Sequence, residues 1–273
     1  MRGISRTSLA EVTRRLDENV LASAGADRHA IELGAEIFEV VGLLGDEHSL
    51  RRWLADQSNP AEQKTGLIGQ LLESKVSPST VIVVSDVVQQ KWSSARDLVD
   101  ALERMGVYAT IASVDGTRLD ELEDELFRFE RIVVAQPELR AALTRDGVSQ
   151  EHLRALVRDL LEGKANPATV ALVGEAVARP RNRTLEQVLE TYAQLVAERA
   201  QRYIALVRVA HPLSEDQQER LRGALARRYG RAIHLNIEVD PGLVGGLSVQ
   251  VGDEITDGTI AGRIAEVRRR LAG

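Results

Sequence analysis

The chain has 273 residues, 44% of them hydrophobic and 3% aromatic, with 35 Lys and Arg against 41 Asp and Glu for a formal charge of −6. It has no cysteine, which excludes disulfide frameworks, thiolate metal sites and a catalytic thiol, and makes a reducing compartment the default. The mild acidity argues against a dedicated nucleic-acid binder, which masses Lys and Arg on one face, and the length suits two or three domains better than a single core.

From Met1 to Leu9 there is no apolar stretch of signal-peptide length, so export is not expected. Ser8 and Glu11 have capping-box spacing and predict the start of a first helix. The longest apolar runs resemble Val81 to Val84, far short of the roughly 20 residues that cross a bilayer as a helix.

Laid on itself at an offset of 89 residues, the chain repeats. The text from Leu71 to Val81 returns from Leu160 to Val170 with seven of eleven positions identical. The same register pairs Glu36 with Glu125, Phe38 with Phe127, Val84 with Val173 and Val88 with Val177. Two copies of one module follow, near residues 28–105 and 117–200. Each reads as short amphipathic helices, with Leu119, Leu122, Leu126, Phe129 and Val133 at steps of three and four as one stripe. Ser77-Pro78 and Asn166-Pro167 place a capping side chain ahead of a proline at the first helical position, and Thr184 with Gln187 forms a capping box for a long helix.

After Tyr203 the apolar period falls from about 3.6 to 2. Tyr203 to Ala210, Ile233 to Val239 and Leu247 to Val251 predict three strands. A helix lies between the first two, opened by Ser214 and Gln217 and closed at Gly230, and Ile260, Ile264, Val267 and Leu271 form the stripe of a terminal helix. Asp240 to Gly246 is rich in turn residues and reads as a hairpin. The fold class is therefore mainly α with a small α/β domain. Its modules are an extra helical bundle at 1–110, a second at 111–202, and an α/β domain of about three strands and two helices at 203–273.

No catalytic constellation is visible. Gly242, Gly245 and Gly246 are not followed by the Lys-Ser/Thr of a phosphate loop, Asp253 and Asp257 lack the partners of a calcium loop, and the five histidines have no metal spacing. No cofactor or metal is expected. Arg179, Arg181 and Arg183 could hold a phosphate or an acidic peptide, although a solvated loop is the simpler reading. Glu121 and Glu125 lie on a charge-rich helix face and need no acid/base role.

The text Ile233-His-Leu-Asn-Ile-Glu-Val-Asp-Pro-Gly-Leu-Val-Gly-Gly-Leu-Ser-Val-Gln-Val-Gly252, continued by Asp253 to Ile260 and preceded by Ala210-His-Pro-Leu-Ser214, resembles the signature of the F-type ATP synthase delta subunit family. The mitochondrial counterpart is the oligomycin sensitivity-conferring protein. The resemblance spans about residues 117–273, and the extra copy resembles the long forms of high-GC Gram-positive bacteria. It implies a non-enzymatic stator subunit at the cytoplasmic face of the cell membrane, touching the membrane only through the complex. The helical bundle would hold the amino terminus of an alpha subunit atop the alpha and beta hexamer, and the carboxyl-terminal domain would engage the b subunits. On this basis Val170, Val173 and Val177 are candidates for the alpha-binding groove, and Asp240, Gly245, Gly246, Asp257 and Gly258 are structural turn positions. The family's first bundle helix has no clean counterpart before residue 117, and the helix from Ser94 to Met105 is a substitute. The rival readings are a free-standing helical adaptor outside the ATP synthase and a nucleotide-handling enzyme.

Overall fold

The computed structural model describes residues 3–21, 27–145, 147–229, 233–240, 242–243, 245–251 and 254–257. The chain divides into two compact units, Met1–Val114 with Asp120–Val196, and Asp115–Leu119 with Ala197–Gly273.

The first unit is helical and holds both copies. Copy one comprises α1 (Ile4–Arg15, continued by a π-helical turn at Leu16–Leu21), α2 (Asp27–Asp46), α3 (His48–Ala55), α4 (Ala61–Leu72), α5 (Pro78–Gln89) and α6 (Ala95–Ile111). Copy two continues with α7 (Leu119–Ala135), α8 (Pro137–Leu143), α9 (Gln150–Leu161), α10 (Pro167–Ala178) and α11 (Leu185–Tyr203). Shifted by 89 residues, α4 falls on α9 and α5 on α10 end for end. The same shift lays α1 and its π turn on α6, so α6 is both the sixth helix of copy one and the first of copy two. Its position matches that double role: Leu98, Leu102, Met105, Tyr108 and Ile111 are buried, and α6 packs on α1, α2, α3, α5 and α10. The helix expected from Ser94 to Met105 is thus present and longer.

Local chemistry explains the ends. Ser77 and Asn166 accept hydrogen bonds from the backbone N–H groups of Thr80 and Ala168, each ahead of a proline in the first turn. Thr184 and Gln187 bond reciprocally at α11, as Ser214 and Gln217 do in the second unit. The turn after α4 puts Ser74 at φ 64°, and its counterpart after α9, Gly163, at φ 73°. In both, two successive N–H groups bond back to one carbonyl, that of Leu72 or of Leu161. Ser8 departs from expectation. The first helix begins at Ile4 after Gly3, and the buried Ser8 hydroxyl donates to the Lys91 carbonyl at 2.7 Å. A spacing that can cap a helix also arises inside one, where the hydroxyl serves a tertiary bond.

In the second unit β1 (Ile204–Val209), α12 (Glu215–Tyr229), β2 (His234–Val239), β3 (Leu247–Val251) and β4 (Glu254–Asp257) form a four-stranded sheet of order β2-β1-β3-β4 with one helix against it. β1 and β2 are parallel across α12, while β3 is antiparallel to both β1 and β4. Ala205, Val207, Val209, Val249 and Val251 make the core with Leu225 and Ile233. Two expectations are corrected. Because β2 and β3 flank β1 on opposite sides, the Asp240–Gly246 link is a crossover rather than a hairpin. A fourth strand, too short for an alternating signature, replaces the turn expected before Gly258. Gly230, Asp253, Gly258 and the expected terminal helix lie outside the described residues.

Candidate partner-binding site

The groove proposed from the sequence sits on α10, whose start is built twice in the same way. In copy one the Glu36 carboxylate on α2 accepts from the Ser77 N–H at 2.9 Å, the Ser77 hydroxyl at 2.6 Å and the Thr80 hydroxyl at 2.5 Å. At the same positions in copy two, Glu125 on α7 accepts from the Asn166 N–H at 2.9 Å and from the Thr169 hydroxyl. Burial works to raise the Glu36 pKa, but the bonds from Ser77 and Thr80 outweigh it and hold the carboxyl below its usual range. Each copy thereby fixes the proline helix against its second helix with one carboxylate.

Val173 and Val177, 0% and 4% exposed, are core residues, and Val170 is half-buried. Their helix is enclosed by α9, α6 and, from copy one, α2. On the equivalent helix α5, Val84 and Val88 are buried likewise, whereas Ile82, counterpart of Ala171, is 48% exposed.

The arginine cluster after α10 is not a solvated loop. Arg179 bonds Glu39 at 2.8 Å and donates to the Phe38 carbonyl at 3.1 Å, both on α2. Arg181 reaches Glu103 at 2.5 Å and Asp100 at 2.7 Å on α6, and Arg183 pairs with the same Glu103. Tyr192 on α11 donates to Glu103 at 3.1 Å and stacks on Phe38 with ring centroids 6.4 Å apart. Arg154 on α9 links Glu175 at 2.8 Å to Glu39 at 3.2 Å. The hydrogen bond from Arg179 holds the Glu39 carboxyl below the usual range against partial burial, while burial pushes Glu175 up despite Arg154 and Arg179. Burial, then the Glu103 charge, raises the Tyr192 phenol well above its normal value, which keeps it a donor. The positive charges that could have held a phosphate or an acidic peptide are taken by carboxylates of the other copy. Glu39, Glu103 and Glu175 were not singled out from the sequence, because their partners lie in the other copy or in another helix.

Of the turn positions, Asp240 Oδ1 accepts from the Gly242 N–H at 2.8 Å, and Gly246 has φ 87°, which favours glycine. Gly245, at φ 157°, is nearly extended, and Asp257 ends β4 beside Ser248.

Fold and seam define a mainly helical protein, internally duplicated around a shared helix, with a small mixed-sheet unit at its carboxyl end. Residues 108–271 match the family model for the ATP synthase delta (OSCP) subunit, and the match begins within α6. The chain is 64% identical over 274 residues to the ATP synthase subunit delta of Thermobifida fusca and 44% identical over 274 residues to that of Streptomyces griseus, with 100% of each chain covered in both cases. A chain of the Toxoplasma gondii mitochondrial ATP synthase hexamer aligns over 100% of this chain and 99% of its own at TM-score 0.25 and 13% identity, too loose a likeness to bear on the fold. The chain belongs to the ATP synthase delta (OSCP) subunit family; it is a subunit of that complex rather than a free-standing adaptor. Among the described residues no helix is long and apolar enough to cross a membrane.

Proposed function

We propose that the chain is the non-catalytic stator joint of an F-type ATP synthase, fastening the alpha and beta hexamer to the b subunits at the cytoplasmic face of the cell membrane. The observation that carries this reading is the 64% identity over the whole of both chains to an ATP synthase subunit delta. Rotation of the central shaft puts a reaction torque on the hexamer, so each joint must hold under load; a nanomolar contact supplies about 12 kcal/mol at standard state.

The three modules, 1–110, 111–202 and 203–273, divide this work. An alpha amino-terminal helix lies along α10 at the half-buried Val170, with Val173 and Val177 in the core beneath that position. The exposure of Ile82 favours a second seat on α5, where an extra copy gives a second alpha terminus a place. The b helices meet the carboxyl-terminal sheet on the face carrying Leu206, which is exposed on the side opposite the Val207 and Val209 core.

The chain, affinity-tagged and recovered from membranes, is expected to bring alpha, beta and b with it; recovery without them overturns the reading. For the groove, calorimetry of the full chain with an alpha amino-terminal peptide is expected to lose heat of binding in Val170→Asp. Loss in Ile82→Asp alone moves the seat to copy one.

A further inference from the structure

In copy one the outward face of α2 is covered by copy two. Phe38, 3% exposed, stacks on Tyr192, and Glu39 beside it pairs with Arg179 and Arg154. Gly42, one turn on, leaves room for the Arg179 guanidinium, which lies 2.6 Å from where a Cβ would stand. Shifted by 89 residues, these three positions are Phe127, Arg128 and Arg131 on α7. There the same face is uncovered: Phe127 is 51% exposed and Val134 57%. Residues 127, 131 and 134 stand at steps of four and three and so share one face, with Arg131 resting over the Phe127 ring at 5.8 Å.

The charge at this place is inverted between the copies. Glu39 in copy one meets the arginines of the following copy, whereas its counterpart in copy two is Arg128. A further repeat of this chain would bring an arginine of the Arg179 kind against Arg128 and Arg131, and like charges would oppose it. Asp120 and Asp124 lie on the amino-terminal half of the same face, so the surface runs from acidic through apolar to basic along α7.

We propose that α7 is a docking face for an amphipathic helix of a neighbouring subunit. The helix covers Phe127 and Val134 with its apolar stripe and presents carboxylates to Arg128 and Arg131. The inference goes beyond the stator reading and rests on it only for the source of that helix, the assembled ATP synthase.

The test replaces Phe127 with the photoreactive p-benzoylphenylalanine in the full chain and irradiates the purified complex, with cross-linked peptides mapped by mass spectrometry. The expected product joins residue 127 to a helical segment of another subunit that carries an apolar stripe with flanking Asp or Glu, and its yield falls several-fold in Arg128→Glu/Arg131→Glu. Radical oxidation of Phe127 in the unsubstituted chain is expected to slow several-fold on assembly. A product with a second copy of this chain, a product with a basic or non-helical segment, or no product and no protection from a chain still bound overturns the inference alone. A chain that never enters the complex overturns it together with the stator reading.

Discussion

Glu103 receives two guanidinium groups and a phenol from copy two, so its carboxylate is where a single change should cost the seam most. Glu103→Gln leaves Arg181 and Arg183 without their shared counter-charge and is expected to destabilise the helical unit by about 3 kcal/mol or more, read from urea unfolding. Arg14→Ala, which removes only exposed pairs with Glu11 and Glu18, is expected to leave the midpoint in place. The pH response follows from Glu36 and Glu39. Their folded pKa values lie below the ordinary 4.5, so the stability they add is present above that value and is lost as pH falls below it. Glu175, raised by burial, runs the other way: its contribution is fully present below 4.5 and is lost as pH rises through its folded value. Urea midpoints followed downward from neutrality are expected to fall in acid, and to fall less steeply in Glu36→Gln. The Glu36 role was half legible, since the 89-residue register pairs it with Glu125 in the sequence. The pairing of the arginines is not legible locally, because Arg181 and its partner Glu103 are 78 positions apart and the local text shows three charges around a proline with nothing to neutralise them.

Most helix starts carry their instructions locally, the Ser8–Glu11 spacing inside α1 being the exception. The proline caps at Ser77 and Asn166 and the boxes at Thr184 and Ser214 use side chains two or three residues from the groups they bind. The turn after α4 offers a test. Ser74 occupies a left-handed conformation that its counterpart fills with Gly163. Ser74→Gly is expected to raise stability by roughly 0.5 kcal/mol, and Gly163→Ala, whose Cβ would meet open space, to lower it by about 1 kcal/mol through backbone strain alone. Close approach is tested at Gly34, where a Cβ would press on the Thr110 hydroxyl and stand 3.0 Å from the Gly106 carbonyl oxygen. Gly34→Ala is expected to cost roughly 1–3 kcal/mol, and Gly45→Ala, facing open space on the same helix, to add up to about 1 kcal/mol; paired thermal melts check both. Sheet neighbours are a different matter. Turn residues between β2 and β3 signal a change of direction, but only the packing of α12 and the parallel pairing with β1 decide that the chain crosses over. β4, four residues long, is held by pairing with β3 rather than by any pattern of its own.

At the scale of the molecule, the sharing of α6 ties the two copies into one unit. The repeat is visible in the sequence, but its continuation into α1 and α6 is not, because the paired positions share apolar burial there rather than identity: Val12 falls on Ala101 and Leu16 on Met105. The family match beginning within α6 is consistent with that double use. A joint that must stay closed while a shaft turns gains from such sharing, since a load applied to one copy passes directly into the core of the other. Coupling of the hexamer to its stalk by this chain is open to reconstitution. Membranes stripped of the chain are expected to keep ATP hydrolysis by the hexamer yet lose proton-driven ATP synthesis, and to regain synthesis when the purified full-length chain is added back. Stripped membranes that synthesise ATP as well as intact ones would show that the chain does not couple the hexamer to the stalk.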